Sequence, residues 1–191
     1  MLGQLRIILI LPLFYLVSER EGTMINDKVK EILNEQINKE FYSAYLYLAM
    51  SAYFAEMGLY GFAHWTEVQS REEIEHGMVL FDYVLKRNAK IELKNIETPH
   101  LEYNGILDVF EQIYQHEQHI TASIDRIANL TENECDLATR NFIDRYLQEQ
   151  IEEEDSVQKI IHKIRAFGSE KSSLYLLDKE LGGREYKPYR C

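Results

Sequence analysis

Residues that interrupt helices are scarce in this sequence. Its 191 residues include nine glycines and three prolines, whereas Leu, Ile, Glu, Lys, Gln and Ala fill long stretches. All-β folds need frequent turns, so this composition argues against them and favours helices. The two cysteines, Cys135 and Cys191, lie far apart and show no C-x-x-C spacing. Neither a zinc site nor a disulfide framework is indicated, and a cytoplasmic location is therefore expected.

Positive charge is also in short supply. The chain carries 21 basic and 32 acidic residues, which gives a formal net charge of −11. A nucleic-acid-binding surface needs basic residues to neutralise phosphates, so we expect no nucleic-acid partner and consider cationic partners a better fit. A membrane-spanning helix needs about 20 apolar residues. The apolar run near the N-terminus has only eleven, so no membrane partner is expected.

The first 23 residues differ from the rest of the chain. Arg6 precedes the apolar run 7–17, which resembles the core of a signal peptide, yet no small-x-small cleavage site follows it. Alternatively, translation begins at Met24, because residues 20–22 can be encoded by a purine-rich run that resembles a bacterial ribosome-binding site. We favour this hypothesis and expect residues 1–23 to be a non-native or weakly ordered extension. A native protein whose intact mass includes them contradicts it.

Apolar residues recur at helical spacing in four long stretches. The first begins near Asn26 and ends near Gly58, and its predicted core stripe comprises Val29, Ile32, Leu33, Ile37, Phe41, Ala44, Leu48 and Ala52. The second stretch runs from about residue 60 to residue 87. Because only a few residues separate these two helices, we predict that they are antiparallel neighbours.

The second half of the chain repeats this arrangement after a gap. Periodicity stops between residues 88 and 104 and resumes with a third helix from Ile106. Thr131, three residues before Glu134, predicts a capping box at the start of a fourth helix. Gly168 is the expected end of that helix.

The gap is long enough to decide the topology. A helix of about 28 residues is roughly 42 Å long, and a 16-residue extended linker reaches about 50 Å, so the linker can cross the whole bundle. We predict an all-α four-helix bundle with one long crossover between the second and third helices, and a short fifth helix at about residues 170–180. The domain is expected to cover residues 24–181. The tail at residues 182–191 contains no motif that predicts a role.

Polar residues interrupt the apolar stripe of every long helix. They are Glu40 in the first helix, Glu73 and His76 in the second, Glu117 in the third, and Gln150 and Glu153 in the fourth. The interval from Glu40 to Glu73 and the interval from Glu117 to Gln150 are both 33 residues. The bundle therefore resembles two related helical hairpins, each with an i, i+3 polar pair on one face of its second helix.

Several carboxylates inside a core are costly unless a cation neutralises them. No comparable set of Lys or Arg residues occupies these stripes, so bound metal ions are the expected compensation. Oxygen ligands with one imidazole suit iron or manganese. A single Glu on an apolar stripe usually reaches solvent, and a single His is usually a hydrogen-bonded core residue. Four coinciding interruptions favour a metal site over these simpler explanations.

Five segments resemble the ferritins, specifically the non-heme bacterial type, and the resemblance covers about residues 24–181. They are residues 33–43, 71–76, 116–118, 149–154 and 174–181. The resemblance implies a first iron held by Glu40, Glu73 and His76, and a second held by Glu73 as a bridge, Glu117 and Glu153, with Gln150 facing the centre. It further implies a third iron site at Glu72, Glu149 and Glu152, and a redox-active tyrosine at Tyr47.

The resemblance also implies an activity. A ferritin of this type is a ferroxidase that oxidises Fe(II) with O2 or peroxide and deposits ferric mineral inside a homo-oligomeric cage of 24 subunits, which serves iron storage and detoxification. Position 156 is Ser, so the second E-x-x-H motif of bacterioferritins, rubrerythrins and di-iron oxygenases is missing. Position 74 is Ile where bacterioferritins have their heme-ligating methionine, so heme is not expected. Two alternatives remain: a di-iron peroxidase or oxygenase that stores nothing, and a metal-free helical interaction protein.

Overall fold

The chain folds into five helices. A computed structural model describes residues 25–99, 102–186 and 188. The helices are α1 Asp27–Glu56, α2 Tyr60–Lys86, α3 Ile106–Asn133, α4 Leu137–Phe167 and α5 Lys171–Leu181. Helix α1 packs on α2, α3 packs on α4, and α5 packs against α2 and α4. These contacts confirm the predicted four-helix bundle with one crossover and a short fifth helix. The proposed extension at residues 1–23 lies outside the described residues.

The apolar core consists of two separate clusters along the bundle axis. One joins the end of α1, the start of α2, the start of α3 and the end of α4, and it includes Phe54, Phe62, Phe110, Ile161 and, from α5, Leu177. The other joins the opposite ends of the same four helices and includes Leu33, Leu80, Ile124 and Ile143. Because α2 and α3 begin in the same cluster, they run parallel, as predicted. None of the helices that the structure describes has the length and apolarity needed to cross a membrane.

The predicted stripe on the first helix is wrong in its last two turns. Leu48 is 50% exposed and Ala52 also lies on the surface, whereas Tyr47, Met50 and Phe54 are buried. The buried positions follow an alternating spacing of three and four residues, which keeps one face toward the partner helices. The predicted stripe instead continued at steps of four and drifted to the outside.

The predicted start of the fourth helix is also wrong. Thr131 is fully buried inside α3, where its hydroxyl donates a hydrogen bond of 2.8 Å to the carbonyl oxygen of Ala128. The helix instead breaks at Cys135, which has a left-handed φ of 55°. Asp136 caps α4, because its Oδ1 accepts a 3.1 Å hydrogen bond from the backbone N–H of Thr139.

Two asparagines on α1 hold the crossover against the bundle. The Asn34 side chain donates to the carbonyl oxygen of Lys90 at 3.0 Å and accepts from the backbone N–H of Glu92 at 2.7 Å. One turn later, the Asn38 side chain donates to the Glu92 carbonyl oxygen at 3.0 Å and accepts from the Lys94 N–H at 2.6 Å. These amides satisfy backbone groups of a segment that has no regular secondary structure.

Helix α5 docks on the start of α2 through an unusually close contact. Leu59, the N-cap residue of α2, makes no side-chain capping bond. Asp178 of α5 replaces it, since its Oδ1 accepts from the N–H groups of Gly61 and Phe62 at 2.8 and 3.0 Å. A Cβ atom at Gly61 would lie 1.6 Å from the Asp178 carbonyl oxygen, so only glycine fits there. This contact directs the residues after α5 along α2.

Candidate metal centre

A layer of polar side chains separates the two apolar clusters. All six residues that interrupt the predicted stripes are buried in it, with exposed fractions of 1% for Glu40, 3% for Glu73, 3% for His76, 1% for Glu117, 6% for Gln150 and 9% for Glu153. Each of the four long helices contributes at least one of them. The structure therefore brings these six predicted residues into one buried layer.

The first half of this layer has the geometry of a metal site. One ligand atom from each of Glu40, Glu73 and His76 can be chosen so that all three atoms lie within 4.8 Å of one another. Nδ1 of His76 is 3.5 Å from Oε2 of Glu73, one turn earlier on α2. Among the described residues, Oε2 of Glu40 is buried and has no hydrogen-bond partner. An unpaired carboxylate oxygen beside a second carboxylate and an imidazole fits a cation ligand.

The second half of the layer lies between α3 and α4. Oε1 of Glu117 accepts a short hydrogen bond from the hydroxyl of Tyr47, and its Oε2 accepts one from Nε2 of Gln150 at 3.1 Å. Oε2 of Glu153 accepts from Nε2 of Gln69 at 2.9 Å. The donors to both carboxylates are neutral, so these hydrogen bonds leave the negative charge uncompensated.

The buried carboxyl groups hold protons more tightly than usual. Burial, together with the nearby charge of Glu73, raises the pKa of Glu40 from 4.5 to about 8. Burial raises the pKa of Glu73 to about 7 against the opposing effect of His76. Burial and repulsion from Glu153 raise the pKa of Glu117 to about 7. Ionised carboxylates are thus destabilised here, and a bound cation removes that destabilisation.

His76 is fixed by carboxylates on both sides. Its Nε2 lies 3.0 Å from Oε1 of Glu149, a residue predicted for the third iron site. Burial acts to lower the pKa of His76, but the hydrogen bonds to Glu149 and Glu73 outweigh it and raise the pKa well above 6.5. A carboxylate on the far nitrogen orients a metal-binding imidazole and increases its basicity. Glu149 can therefore support the first half of the centre as well as a third site.

The hydrogen bonds that support Glu40 from behind were not predicted. Nε2 of Gln36 donates to Oε1 of Glu40 at 2.8 Å, and Oε1 of Gln36 accepts from the hydroxyl of Ser123 at 2.6 Å. The ammonium group of Lys39 donates to that hydroxyl at 2.5 Å. Gln36 lies one turn before Glu40 on the same face of α1, and this spacing is the only sequence signal that could have revealed it.

Tyr47, the predicted redox-active residue, is completely buried beside the layer. Burial and the neighbouring charge of Glu117 raise its pKa well above 10, so the phenol is neutral. Its ring lies 6.3 Å from the His116 ring, centroid to centroid, in an edge-to-face arrangement. Tyr47 therefore acts as a hydrogen-bond donor to Glu117 in the folded protein.

The residues predicted for the third site line one cavity of about 400 Å³ next to the layer. Glu72 and Glu149 are half-buried there, and Glu152 lies on its exposed rim. Arg184, from the tail after α5, also lines this cavity and pairs with Glu72. Burial raises the pKa of Glu153 in the same cavity wall, and the charge of Arg184 acts against that rise.

Comparison with known protein sequences gives one consistent result. A family model described as a ferritin-like domain matches residues 30–167. A bacterial non-heme ferritin of Bacteroides fragilis (strain 638R) is 37% identical over 161 residues, which cover 84% of this chain and 100% of that protein. A bacterial non-heme ferritin of Staphylococcus aureus (strain USA300) is 32% identical over 163 residues, which cover 85% and 98%.

Solved structures give the same result for the fold. An Archaeoglobus fulgidus ferritin engineered into a closed form matches with a TM-score of 0.84 and 43% identity, over 85% of this chain and 99% of that chain. An open-pore ferritin from the same archaeon matches with a TM-score of 0.83 and 44% identity, over 84% and 98%. The family match, the sequence relatives and the fold agree, and this chain belongs to the ferritin family.

Proposed function

We propose that this protein is a ferroxidase that stores iron. The observation that carries the proposal is the buried layer of four carboxylates, one imidazole and one amide between two apolar clusters. A structural role does not explain such a layer, because ionised carboxylates without a cation destabilise a core. The ferritin relatives support iron as the cation.

Two Fe(II) ions are the substrates in this proposal. Glu40, Glu73 and His76 bind the first, and Glu73, Glu117 and Glu153 bind the second, so that Glu73 bridges them. Each Fe(II) loses one electron, and O2 or peroxide accepts the pair. Carboxylate ligands stabilise Fe(III) relative to Fe(II), which favours the oxidation.

The product must also leave the centre. Gln150 is neutral and, through Nε2, donates a hydrogen bond to Glu117, so we propose that it binds the second iron weakly or only faces it. A weakly held Fe(III) can move to Glu72, Glu149 and Glu152, in the adjacent cavity. From there it joins a ferric mineral inside a cage of 24 subunits. We propose that Tyr47 supplies one further electron to the O2 or peroxide during turnover and passes its phenol proton to Glu117, its hydrogen-bond partner. A further Fe(II) then reduces the resulting tyrosyl radical.

Rapid-mixing measurement of Fe(II) oxidation tests the ferroxidase activity. Two Fe(II) per subunit are mixed with O2, and the Fe(III) absorbance is followed for the wild type, Glu40→Gln and Glu117→Gln. We expect both variants to oxidise iron at least about tenfold more slowly, because each loses a charged ligand. Asp144→Asn is the matched control, since Asp144 is an exposed carboxylate of α4 paired with Arg140. Oxidation at the wild-type rate in both site variants contradicts the proposal.

A further inference from the structure

Residues 182–186 of the C-terminal tail, for which the sequence predicted no role, fold back along α2 toward the metal centre. The Asp178 contact with Gly61 sets its starting point. Nε2 of His64 donates to the carbonyl oxygen of Arg184 at 2.9 Å, and the hydroxyl of Tyr186 donates to Oε2 of Glu75 at 2.5 Å. These two hydrogen bonds hold the tail on α2 at Arg184 and at Tyr186.

The guanidinium group of Arg184 reaches the cavity of the third-site residues. Its Nη2 lies 2.5 Å from Oε2 of Glu72, and the Arg184 and Glu72 side chains are only 20% and 14% exposed. Its Cζ lies 4.6 Å from the ring centroid of Trp65. The positive charge is thus placed between an aromatic face and a wall of carboxylates.

This ion pair is incomplete. Nη1 of Arg184 is buried without a hydrogen-bond partner among the described residues, and so is Oε2 of Glu149 in the same cavity. An arginine fixed as a permanent anchor usually satisfies its donors, often with a bidentate carboxylate. The Arg184 contact instead leaves a donor and an acceptor free for other partners.

The carboxylates in the cavity wall outnumber its two basic residues, Arg184 and His76. The carboxylates are Glu72, Glu149, Glu152, Glu153 and Glu185. A metal ion that binds Glu72 must share this carboxylate with the guanidinium or displace it. Because like charges repel at such short distances, displacement is the favourable outcome.

We propose that Arg184 is a tethered competitor for the third metal site: it neutralises Glu72 until a metal ion displaces it, and it thereby lowers the affinity of that site. This inference rests on the proposed function, in which Glu72 belongs to the route taken by oxidised iron. The apparent affinity of the third site for a metal ion is proportional to the fraction of molecules in which Arg184 does not occupy the site. Weak binding suits a transit site, because a tightly held Fe(III) would not move on to the mineral.

Calorimetric titration of the metal-free protein with Zn2+, which is not oxidised, tests the competition. We compare the wild type with Arg184→Gln, which removes the charge, and Arg184→Lys, which keeps it. We expect the weakest class of Zn2+-binding sites to have at least about threefold higher affinity in Arg184→Gln than in the wild type. We expect the affinity of this class in Arg184→Lys to resemble that of the wild type. Unchanged affinity in Arg184→Gln overturns the inference.

Tyr186→Phe is the matched control for loosening of the tail. It removes the bond to Glu75 and leaves the Arg184 charge and the cavity carboxylates in place. We expect its Zn2+ affinity to stay within about twofold of the wild type, since an exposed hydrogen bond contributes little. An increase equal to that of Arg184→Gln would show that tail release, and not charge competition, controls the site.

Trp65 provides an independent readout in the unmodified protein. It is the chain's single tryptophan, and the guanidinium lies over its ring. In a Zn2+ titration of the wild type, we expect a late phase in which Zn2+ fills the third site and changes the Trp65 fluorescence. We expect this late phase to be missing in Arg184→Gln. The same late phase in both proteins contradicts displacement.

The titrations also separate failure of this inference from failure of the proposed function. If the wild type binds no Zn2+ at Glu40, Glu73 and His76, the proposed function fails. If it binds Zn2+ there and Arg184→Gln changes nothing, only this inference fails.

Discussion

Glu149 on α4 lies 3.0 Å from Nε2 of His76 on α2, although the sequence assigned these two residues to different metal sites. The contact links the first half of the buried layer to the cavity beside it. A change at Glu149 therefore reaches the candidate metal site of Glu40, Glu73 and His76 through the orientation of one imidazole.

The first prediction concerns this link. We expect Glu149→Ala to weaken metal binding at Glu40, Glu73 and His76 by about 10- to 100-fold, because an unsupported imidazole can rotate away from the metal. Calorimetry with Zn2+ measures the tightest binding class. Glu152→Gln, a change at the exposed rim of the same cavity, should leave that class unchanged. Equal losses in the two variants would point to a general effect of negative charge.

The second prediction concerns Tyr47. Tyr47→Phe keeps the ring but leaves Oε1 of Glu117 without its donor, so we expect the metal-free protein to lose about 1 kcal/mol of stability. If Tyr47 supplies an electron, rapid-freeze electron paramagnetic resonance should detect a tyrosyl radical in the wild type and none in the variant. Tyr42→Phe, also on α1 and near His116, is the control and should retain the radical. A radical of undiminished intensity in Tyr47→Phe would rule out this residue as its source.

The third prediction is a pH dependence of the metal-free protein. The pKa values of Glu40 and Glu73 are raised by burial to about 8 and about 7, from 4.5. The folded state therefore holds more protons than the unfolded state in this range. The stabilising effect is complete below pH 4.5 and is lost as the pH rises through 7 to 8.

We accordingly expect the thermal midpoint of chelator-treated protein to fall from pH 6 to pH 8, with each group contributing on the order of 1 kcal/mol. Glu40→Gln should flatten this slope at constant protein concentration, and Asp144→Asn should not. A slope that Glu40→Gln leaves intact would mean that Glu40 does not titrate in this range.

The fourth prediction concerns the docking of α5. Gly61→Ala places a Cβ atom 1.6 Å from the carbonyl oxygen of Asp178, so we expect it to separate α5 from α2 and to cost about 1–3 kcal/mol. Denaturant unfolding measures the loss, and Trp65 fluorescence should report release of Arg184. Gly183→Ala is the control, because its added Cβ would approach only the Glu180 carbonyl oxygen, at 3.3 Å. A wild-type unfolding curve for Gly61→Ala would contradict this account of the contact.

Periodicity was sufficient to predict the bundle and the six residues of its buried layer. Glu40 and Glu117 could be recognised because a polar residue on an apolar stripe is conspicuous within a single helix. The exact set of buried residues on α1 was harder to predict. Tyr47 and Leu48 are adjacent and both hydrophobic, and only packing against the other helices decides which of them is buried.

Hydrophobic periodicity could not predict the contacts that depend on the tertiary fold. Asp178 caps α2 at Gly61, 117 residues earlier, and Arg184 pairs with a glutamate 112 residues away. Neither contact has a sequence period. The capping residue of α4 was missed for a different reason, because Thr131 and Asp136 are both suitable caps and the choice depends on how far α3 extends.

Iron storage is the central claim, and one measurement tests it most directly. The purified protein is loaded aerobically with Fe(II), separated by size exclusion with light scattering, and assayed for iron. We predict a particle of about 24 subunits that retains many ferric ions per subunit, and we predict that Glu40→Gln with Glu117→Gln assembles but retains few. A small oligomer that holds at most two iron ions per subunit would contradict storage and favour a di-iron enzyme that acts on another substrate.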